Sequence, residues 1–355
     1  VSPRSLARAS VRQPLRVPVP ADDEAFAARK GAARLALRTA RRALLLRISG
    51  QQRHLQTRLA QSWRRLLWIH EGMPQIGDAL MDLAPRSLLT ESGFQVDLFA
   101  APHIAQLFAG DAWFGRVISD PADLQADRYD AAIVLSHDHK AMRLKRDRLA
   151  ALPWVSLQGF YGGPDFHRAR FATQRLCDLL DLTLAPEVFA RHSAQKLSPS
   201  PSQLGLAAAG CVALVLGGVW PERTYTRWWE LVEALRAQGS DRLLLLGAAN
   251  GREMADRILA RGQGLLEMHD HVGRTSLREA QGLIARSALV VCADGGLMHL
   301  ALTTPAPVVA LFGAAIRPEW RLPIGRSGNA LQSEVREVDG VSPQRVAEAV
   351  RRVIG

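Results

Sequence analysis

The sequence predicts an α/β protein with two similar halves, each built on an open parallel sheet. Two observations carry this expectation. From Arg64 onward, short apolar runs alternate with stretches of helical periodicity, the β-α alternation of a parallel sheet. The alternation stops once, at the Ser/Pro-rich segment Ser198-Pro199-Ser200-Pro201-Ser202, and then restarts. That composition reads as an interdomain linker. The expected organisation is a basic arm and helical extension over 1–63, a first domain over 64–197, a linker over 198–206 and a second domain over 207–355. Two such halves make a cleft between them, and 355 residues suffice for two cores.

The formal net charge of +11 is confined to one segment. Residues 1–65 hold 15 Lys+Arg against three acids, Asp22, Asp23 and Glu24; the remainder holds 30 basic and 31 acidic residues. The globular part is therefore close to neutral, which argues against a nucleic-acid-binding body. The composition excludes a collagen-like, mucin-like or largely disordered chain. Cys177, Cys211 and Cys292 are too scattered for a disulfide scaffold, and a reducing compartment is the simpler reading. No uninterrupted apolar run is long enough to predict a membrane-spanning helix.

Residues 1–22, with Pro3, Pro14, Pro18 and Pro20, read as an arm. Residues 23–62 are rich in Ala, Leu and Arg, lack proline and predict helix, with Gly50 separating two helices. Lys30, Arg34, Arg38 and Arg41/Arg42 recur at helical spacing among leucines, giving a basic, partly amphipathic face. Such a face either docks on an anionic membrane surface or packs on its own domain. In the first half, strands are expected at Leu66–His70, Val96–Ala100, Arg116–Ser119, Ala131–Leu135 and Trp154–Leu157, with a helix from Asp78. In the second, strands are expected at Val212–Leu216, Leu243–Leu246, Leu289–Cys292 and Pro307–Phe312. Helices are expected at Arg227–Gln238, Arg252–Arg261, Ser276–Ala285, Met298–Leu302 and Pro343–Ile354.

The most informative stretch is Leu289–Ala301. A buried strand runs into Asp294-Gly295-Gly296, and a helix begins at once. The glycines permit close backbone approach, and amides at a helix start attract an anion. His299 lies about one turn in, within reach of a phosphate, and Asp294 is suited to accept hydrogen bonds from sugar hydroxyls. An ordinary strand–turn–helix corner with Asp294 as N-cap is the competing reading. Ser136-His137-Asp138-His139 and His269-Asp270-His271 each give a His-x-His pair, but neither has a third ligand at helpful spacing, so no metal site is expected.

Asp294-Gly295-Gly296-Leu297-Met298-His299-Leu300-Ala301 and the following Pro307–Gly313 resemble glycosyltransferase family 9, the ADP-heptose:lipopolysaccharide heptosyltransferases, whose signature is D-[ST]-G-x-x-H-L-A before a G-T-P-V-V-A-L-F-G strand. Val272-Gly273-Arg274-Thr275-Ser276-Leu277 looks like the family's G-[KR]-T-S-L element, and Ile76-Gly77-Asp78 like its L-G-D element. The resemblance covers about residues 64–355 and implies a GT-B fold, with the acceptor on the first domain and the nucleotide sugar on the second. It implies an inverting transferase in which Asp78 is the catalytic base; without the resemblance, Asp78 reads first as a helix cap that complements the dipole. It implies donor contacts from Arg223, standing where the family commonly has Lys, and from Glu253, Thr275, Asp294, Gly295, Gly296, Met298 and His299.

The resemblance further implies ADP-heptose as donor substrate, a lipid-linked glycan as acceptor, no cofactor or metal, and a cytoplasmic enzyme; residues 1–63 lie outside it, and the basic face within 23–62 suits either the inner face of the membrane or its own domain. A nucleotide-sugar epimerase or hydrolase, or a non-catalytic sugar-nucleotide-binding protein, would use the same scaffold. Three loops depart from the family pattern: Glu71–Gln75 replaces an Arg-rich loop, and Thr303–Pro307 and Gly313–Pro318 differ from their counterparts.

Overall fold

The computed structural model describes residues 31–159, 167–199 and 209–355. The expected arm over 1–22 and most of the expected linker, 200–206, lie outside the described residues. The chain divides into two compact units, one ending at Ala194 and the other running Gln195–Gly355.

The first unit opens with α1 (Ala32–Ile48), followed by β1 (Arg65–His70), α2 (Ile76–Asp82), α3 (Arg86–Glu91), β2 (Gln95–Ala100), α4 (Pro102–Phe108), β3 (Val117–Ile118), β4 (Ala131–Val134), α5 (His139–Arg148), β5 (Trp154–Ser156), α6 (Arg168–Leu180) and α7 (Pro186–Ser193). Its sheet has the order β3-β2-β1-β4-β5, with every pairing parallel. The second unit contains β6 (Val212–Leu216), α8 (Trp228–Ala237), β7 (Arg242–Gly247), α9 (Arg252–Gly262), β8 (Glu267–Asp270), α10 (Leu277–Arg286), β9 (Leu289–Ala293), α11 (Gly296–Ala301), β10 (Val308–Phe312), β11 (Ala330–Gln332) and α12 (Pro343–Ile354). Its sheet runs β11-β10-β9-β6-β7-β8, again all parallel. The expected pair of parallel α/β halves is therefore what the chain forms. β8 and β11, not anticipated from the sequence, are the two edge strands, partly exposed and without an apolar run of their own.

The central strands are buried on both faces because helices cover each sheet on two sides. Leu67, Ile69, Ala132, Val134 and Trp154 join one core; Leu214, Val291, Leu311, Trp228 and Val346 join the other. Arg86, fully buried, donates to both oxygens of Asp111 at 2.8 Å and stacks 4.7 Å above Trp113, tying α3 to the turn after α4. A buried guanidinium is tolerated there because its charge and its donors are both met.

The described part of the basic segment, from residue 31, packs on the first unit. Leu35, Ala36, Thr39 and Leu46 of α1 are buried on the first unit, and Leu46 belongs to the same core as Leu67 and Trp154. Each buried leucine contributes about 2 kcal/mol to this docking. No second helix follows Gly50. That residue takes φ +69° and ends α1 as a C-terminal glycine does, and only a short 3-10 turn, Gln51–His54, comes after it. The backbone there is committed to the sheet instead: Trp154 Nε1 donates to the Gln51 carbonyl, Gln56 N donates to the Trp154 carbonyl, and Leu59 N donates to Leu179. The boundary between units also falls earlier than 197. Gln195 bonds His299 and the Arg321 carbonyl of the second unit, and the Ser198 carbonyl accepts from Arg278 of α10.

Candidate functional site

In each sheet, chain order reverses direction between two neighbouring strands, β1 and β4 in the first unit, β6 and β9 in the second. A crevice opens at the carboxyl ends of such a pair and is where ligands bind in doubly wound sheets.

At the β1–β4 crevice, β1 delivers His70 and the loop Glu71–Gln75 into α2. The N-cap of α2 is Gln75, so Asp78 is the third helical residue rather than the cap, and its side chain is about a quarter exposed (23%). Arg168 Nε approaches Asp78 Oδ1 at 3.5 Å. One turn on, Asp82 is buried and collects Arg168, His70 Nε2 at 3.3 Å and Gln158 Nε2 at 3.3 Å. Burial works to raise the Asp82 carboxyl, but the Arg168 charge and the bonds from His70 and Arg168 outweigh it and hold the group below the ordinary carboxylate range. Sequence reasoning missed Asp82; its spacing of four from Asp78 was the available signal. Nothing in the local sequence marked Arg168, which arrives from α6. Across the crevice, Gly72 (φ +88°) lies against the Asp138 carboxylate, where a Cβ would stand 2.5 Å from Oδ2.

At the β6–β9 crevice, β6 ends in Gly217-Gly218 and leads through the 3-10 turn Pro221–Arg223. A Cβ on Gly218 would run into Thr224 Oγ1 and crowd the Thr224 backbone. Its carbonyl accepts from Asn250 Nδ2 at 2.7 Å, which joins this loop to the one after β7. β9 ends in Asp294, whose side chain is nearly buried. Arg223 Nη1 lies 3.4 Å from its Oδ2 and Arg321 Nε 3.5 Å from its Oδ1. The N-cap of α11 is Gly295, so Asp294 does not cap that helix and instead sits between two arginines.

His299 is buried, and its Nδ1 lies 2.8 Å from Gln195 Oε1. Gln195 Nε2 donates to the Arg321 carbonyl at 3.0 Å. A carbonyl only accepts, so the amide nitrogen must face Arg321 and the amide oxygen the ring; the hydrogen of His299 is thereby fixed on Nδ1. Arg321 and Gln195 were not anticipated. Arg321 lies in the loop after β10, where the sequence departs from the family pattern, and Gln195 lies some hundred residues upstream of its partner.

The remaining expected donor contacts are dispersed. Thr275 lies at the loop after β8, immediately before the Ser276/Glu279 capping box of α10, and this loop abuts the β7 loop through the Gly273 N to Gly247 O bond of 2.8 Å. The Met298 side chain is fully buried. Glu253 is exposed on α9 and pairs with Arg257 one turn along its own helix, as a solvated helix glutamate does. The histidine pairs have other occupations: His137 is buried edge-on against Trp154, and His269 bonds Glu267. Among the described residues, no group of three His, Cys, Asp or Glu is placed to hold a metal ion.

Two doubly wound parallel units in one chain, each with its polar side chains gathered at the carboxyl edge, define a protein of the GT-B class. Residues 185–349 match the family model glycosyltransferase family 9 (heptosyltransferase). It is 24% identical over 267 residues to lipopolysaccharide heptosyltransferase 2 of Salmonella typhimurium, covering 70% of this chain and 64% of that protein. The chain thus spans under two thirds of the length of this relative. Its fold is similar to that of E. coli ADP-heptose lps heptosyltransferase II, with a TM-score of 0.61 and 20% identity over 82% of this chain and 98% of the other. It is also similar to that of E. coli heptosyltransferase WaaC with ADP, with a TM-score of 0.64 and 19% identity over 81% and 99%. The stretch matched by the family contains Arg223, Thr275, Asp294, His299 and Arg321.

Proposed function

We propose that this chain is an inverting glycosyltransferase that moves a sugar, ADP-heptose being the first candidate donor, onto a lipid-linked glycan of the lipopolysaccharide core type. The observation that carries this reading is the Arg223–Asp294–Arg321 cluster at the β6–β9 crevice, inside the stretch that matches family 9. Two guanidiniums at one carboxyl edge suit a diphosphate, and arginine binds such oxygens in pairs. ADP is the nucleotide named with one structural relative, which supports ADP on the second unit here.

In the proposed reaction, the Asp78 carboxylate takes the proton of an acceptor hydroxyl as that oxygen attacks the anomeric carbon. The bond from that carbon to the donor diphosphate breaks, and its electron pair leaves with the diphosphate. Arg223, supported by amides at Gly295 and Gly296, stabilises the departing charge, so the scheme needs no metal cofactor. Asp294 orients Arg223 before the donor arrives. A lipid-linked acceptor puts the reaction at the cytoplasmic face of a membrane.

Incubation with ADP-, UDP- and GDP-sugars, with and without acceptor, followed by mass spectrometry, tests this reading. Transfer consumes acceptor; epimerisation or hydrolysis changes the donor without it; a binding protein changes neither. Asp78→Ala should abolish transfer and leave donor-induced thermal stabilisation intact. Undiminished turnover in that variant removes Asp78 from the reaction.

A further inference from the structure

α2 carries two carboxylates, Asp78 and Asp82, one turn apart and on one face of the helix. Like charges at that spacing repel. Arg168, at the start of α6, meets both, but unevenly. Asp82, its side chain buried, accepts Arg168 Nε and Gln158 Nε2 on Oδ1, and Arg168 Nη2 and His70 Nε2 on Oδ2. Each oxygen has two donors, which is what its two lone pairs admit. Asp82 therefore has no acceptor capacity left for a substrate hydroxyl.

Asp78 stands differently to the same guanidinium. Arg168 Nε is 3.5 Å from its Oδ1, and the carboxylate is partly exposed. At that distance Asp78 feels the positive charge without the forked pair of bonds that occupies Asp82. A cation so close favours the ionised carboxyl. A base must be ionised to take a proton, yet a carboxylate tightly forked by a guanidinium loses basicity. The planar fork on Asp82 holds Arg168 between those extremes.

Other charged and titratable groups border this face among the described residues. His70, at the end of β1, bonds Asp82. Glu71, in the next loop, has Lys140, Asp138 and His70 as charged neighbours. His103 of α4 bonds the Pro74 carbonyl at 2.6 Å, and the ring of His167, the N-cap of α6, accepts from Arg170 N at 3.2 Å. Of the cations among these groups, Arg168 is the one paired with Asp78.

We propose that Arg168, anchored by Asp82, is the positioning residue of the first unit: it keeps Asp78 ionised and in place, while Asp82 keeps Arg168 from closing fully onto it. This rests on the reading of Asp78 as the base that takes the acceptor hydroxyl proton. The two partners act on Asp78 with opposite sign. The Arg168 charge lowers the pH at which Asp78 takes up its proton; Asp82, a like charge that also draws the arginine away, raises it. Their removal moves the Asp78 titration in opposite directions, which a lesion of packing alone does not do.

The experiment follows the Asp78 carboxyl by NMR in the full chain, isotope-labelled at its aspartate carboxyl carbons, with the resonance assigned by its loss in Asp78→Asn. In Arg168→Gln the titration midpoint is expected to rise by about one pH unit or more. In Arg168→Lys, which keeps the charge but not the fork, it should stay nearer the wild type, and in Asp82→Asn it should fall. If Arg168→Gln fails to fold because it strands the buried Asp82, Arg168→Gln/Asp82→Asn replaces it, with the same rise expected relative to Asp82→Asn. The acid limb of kcat for transfer from ADP-heptose to a lipopolysaccharide core acceptor should move with the midpoint, while KM for ADP-heptose holds. A midpoint unmoved by loss of Arg168, or raised in Asp82→Asn, overturns the proposal while leaving Asp78 as base. A midpoint that moves while the limb of kcat stays in place, or turnover retained by Asp78→Asn, removes Asp78 from the reaction, and the positioning role falls with it.

Discussion

Arg168 donates from Nε to Asp82 Oδ1 at 3.0 Å and from Nη2 to the other oxygen, while the same Nε stands 3.5 Å from Asp78. One guanidinium thus serves two carboxylates on successive turns of α2, one buried and one partly exposed. The buried carboxylate fixes the arginine, and the arginine then fixes the exposed one.

This arrangement separates the two aspartates experimentally. Asp82→Ala leaves Arg168 and His70 without their shared acceptor and should cost about 3–5 kcal/mol, the usual penalty for breaking a buried ion pair from one side. Asp78→Asn, at the partly exposed and more distant carboxylate, should change stability by about 1 kcal/mol at most. Urea unfolding of both variants checks the contrast, and equal losses would contradict it.

Arg223 and Arg321 share Asp294, yet they differ in exposure: the Arg223 side chain is 36% exposed, the Arg321 side chain 7%. Arg223→Ala should therefore weaken nucleotide-sugar binding with little effect on the fold. Removing a charge-assisted contact of this kind is worth roughly 1.5–3 kcal/mol, or about tenfold to a hundredfold in affinity. Arg223→Lys should recover part of it, as a point charge without the paired geometry. Calorimetry with the donor that stabilises the wild type provides the measurement.

Gln195 links the His299 ring to the Arg321 backbone. Gln195→Leu keeps the volume and removes both bonds, leaving two buried polar groups without that partner; a loss of about 2 kcal/mol is expected. Gln195→Glu should be tolerated differently. A carboxylate accepts from His299 but cannot donate to the Arg321 carbonyl, whereas a protonated carboxyl can do both, so its stability should partly recover on acidification. Thermal denaturation of both variants between neutral and mildly acid pH distinguishes them.

His137 makes the first unit sensitive to acid. Burial, with the charges of Arg42 and Arg175, holds its imidazole down to about 4, against 6.5 for the unperturbed ring. Between those values the unfolded chain takes up a proton that the folded chain refuses. Stability must therefore fall as pH drops through this window, by up to roughly 3 kcal/mol, and is fully present above it. His137→Phe, which keeps an aromatic edge against Trp154, should flatten that limb of the stability profile. Urea midpoints measured across the window decide it.

Gly72 offers a backbone test. Alanine there combines a left-handed φ with a Cβ driven onto the Asp138 carboxylate, and the loop must shift. Gly72→Ala should cost more than about 1 kcal/mol and disturb the approach to Asp78, whereas the same change at Gly93, whose φ is also positive but whose Cβ would meet open space, should cost only the conformational part.

The sequence alone determined the two parallel α/β units, because continuous apolar strands such as Val212–Leu216 and Leu289–Ala293 and the amphipathic helices between them are local properties of the chain. It also marked Asp78, Arg223, Asp294 and His299 through short motifs. Tertiary structure decided who meets whom. Arg168, Arg321 and Gln195 reach the sites from distant segments whose local sequence has no reason to announce them. The same holds for α1: its composition specified a basic helix, but only packing chose which leucines face the core and which remain outside. Packing likewise decided that the Met298 side chain is enclosed and that Glu253 pairs with Arg257 along its own helix. Periodicity fixes elements, whereas long-range contacts fix which polar groups share a crevice, and those contacts are written in no single stretch of the chain.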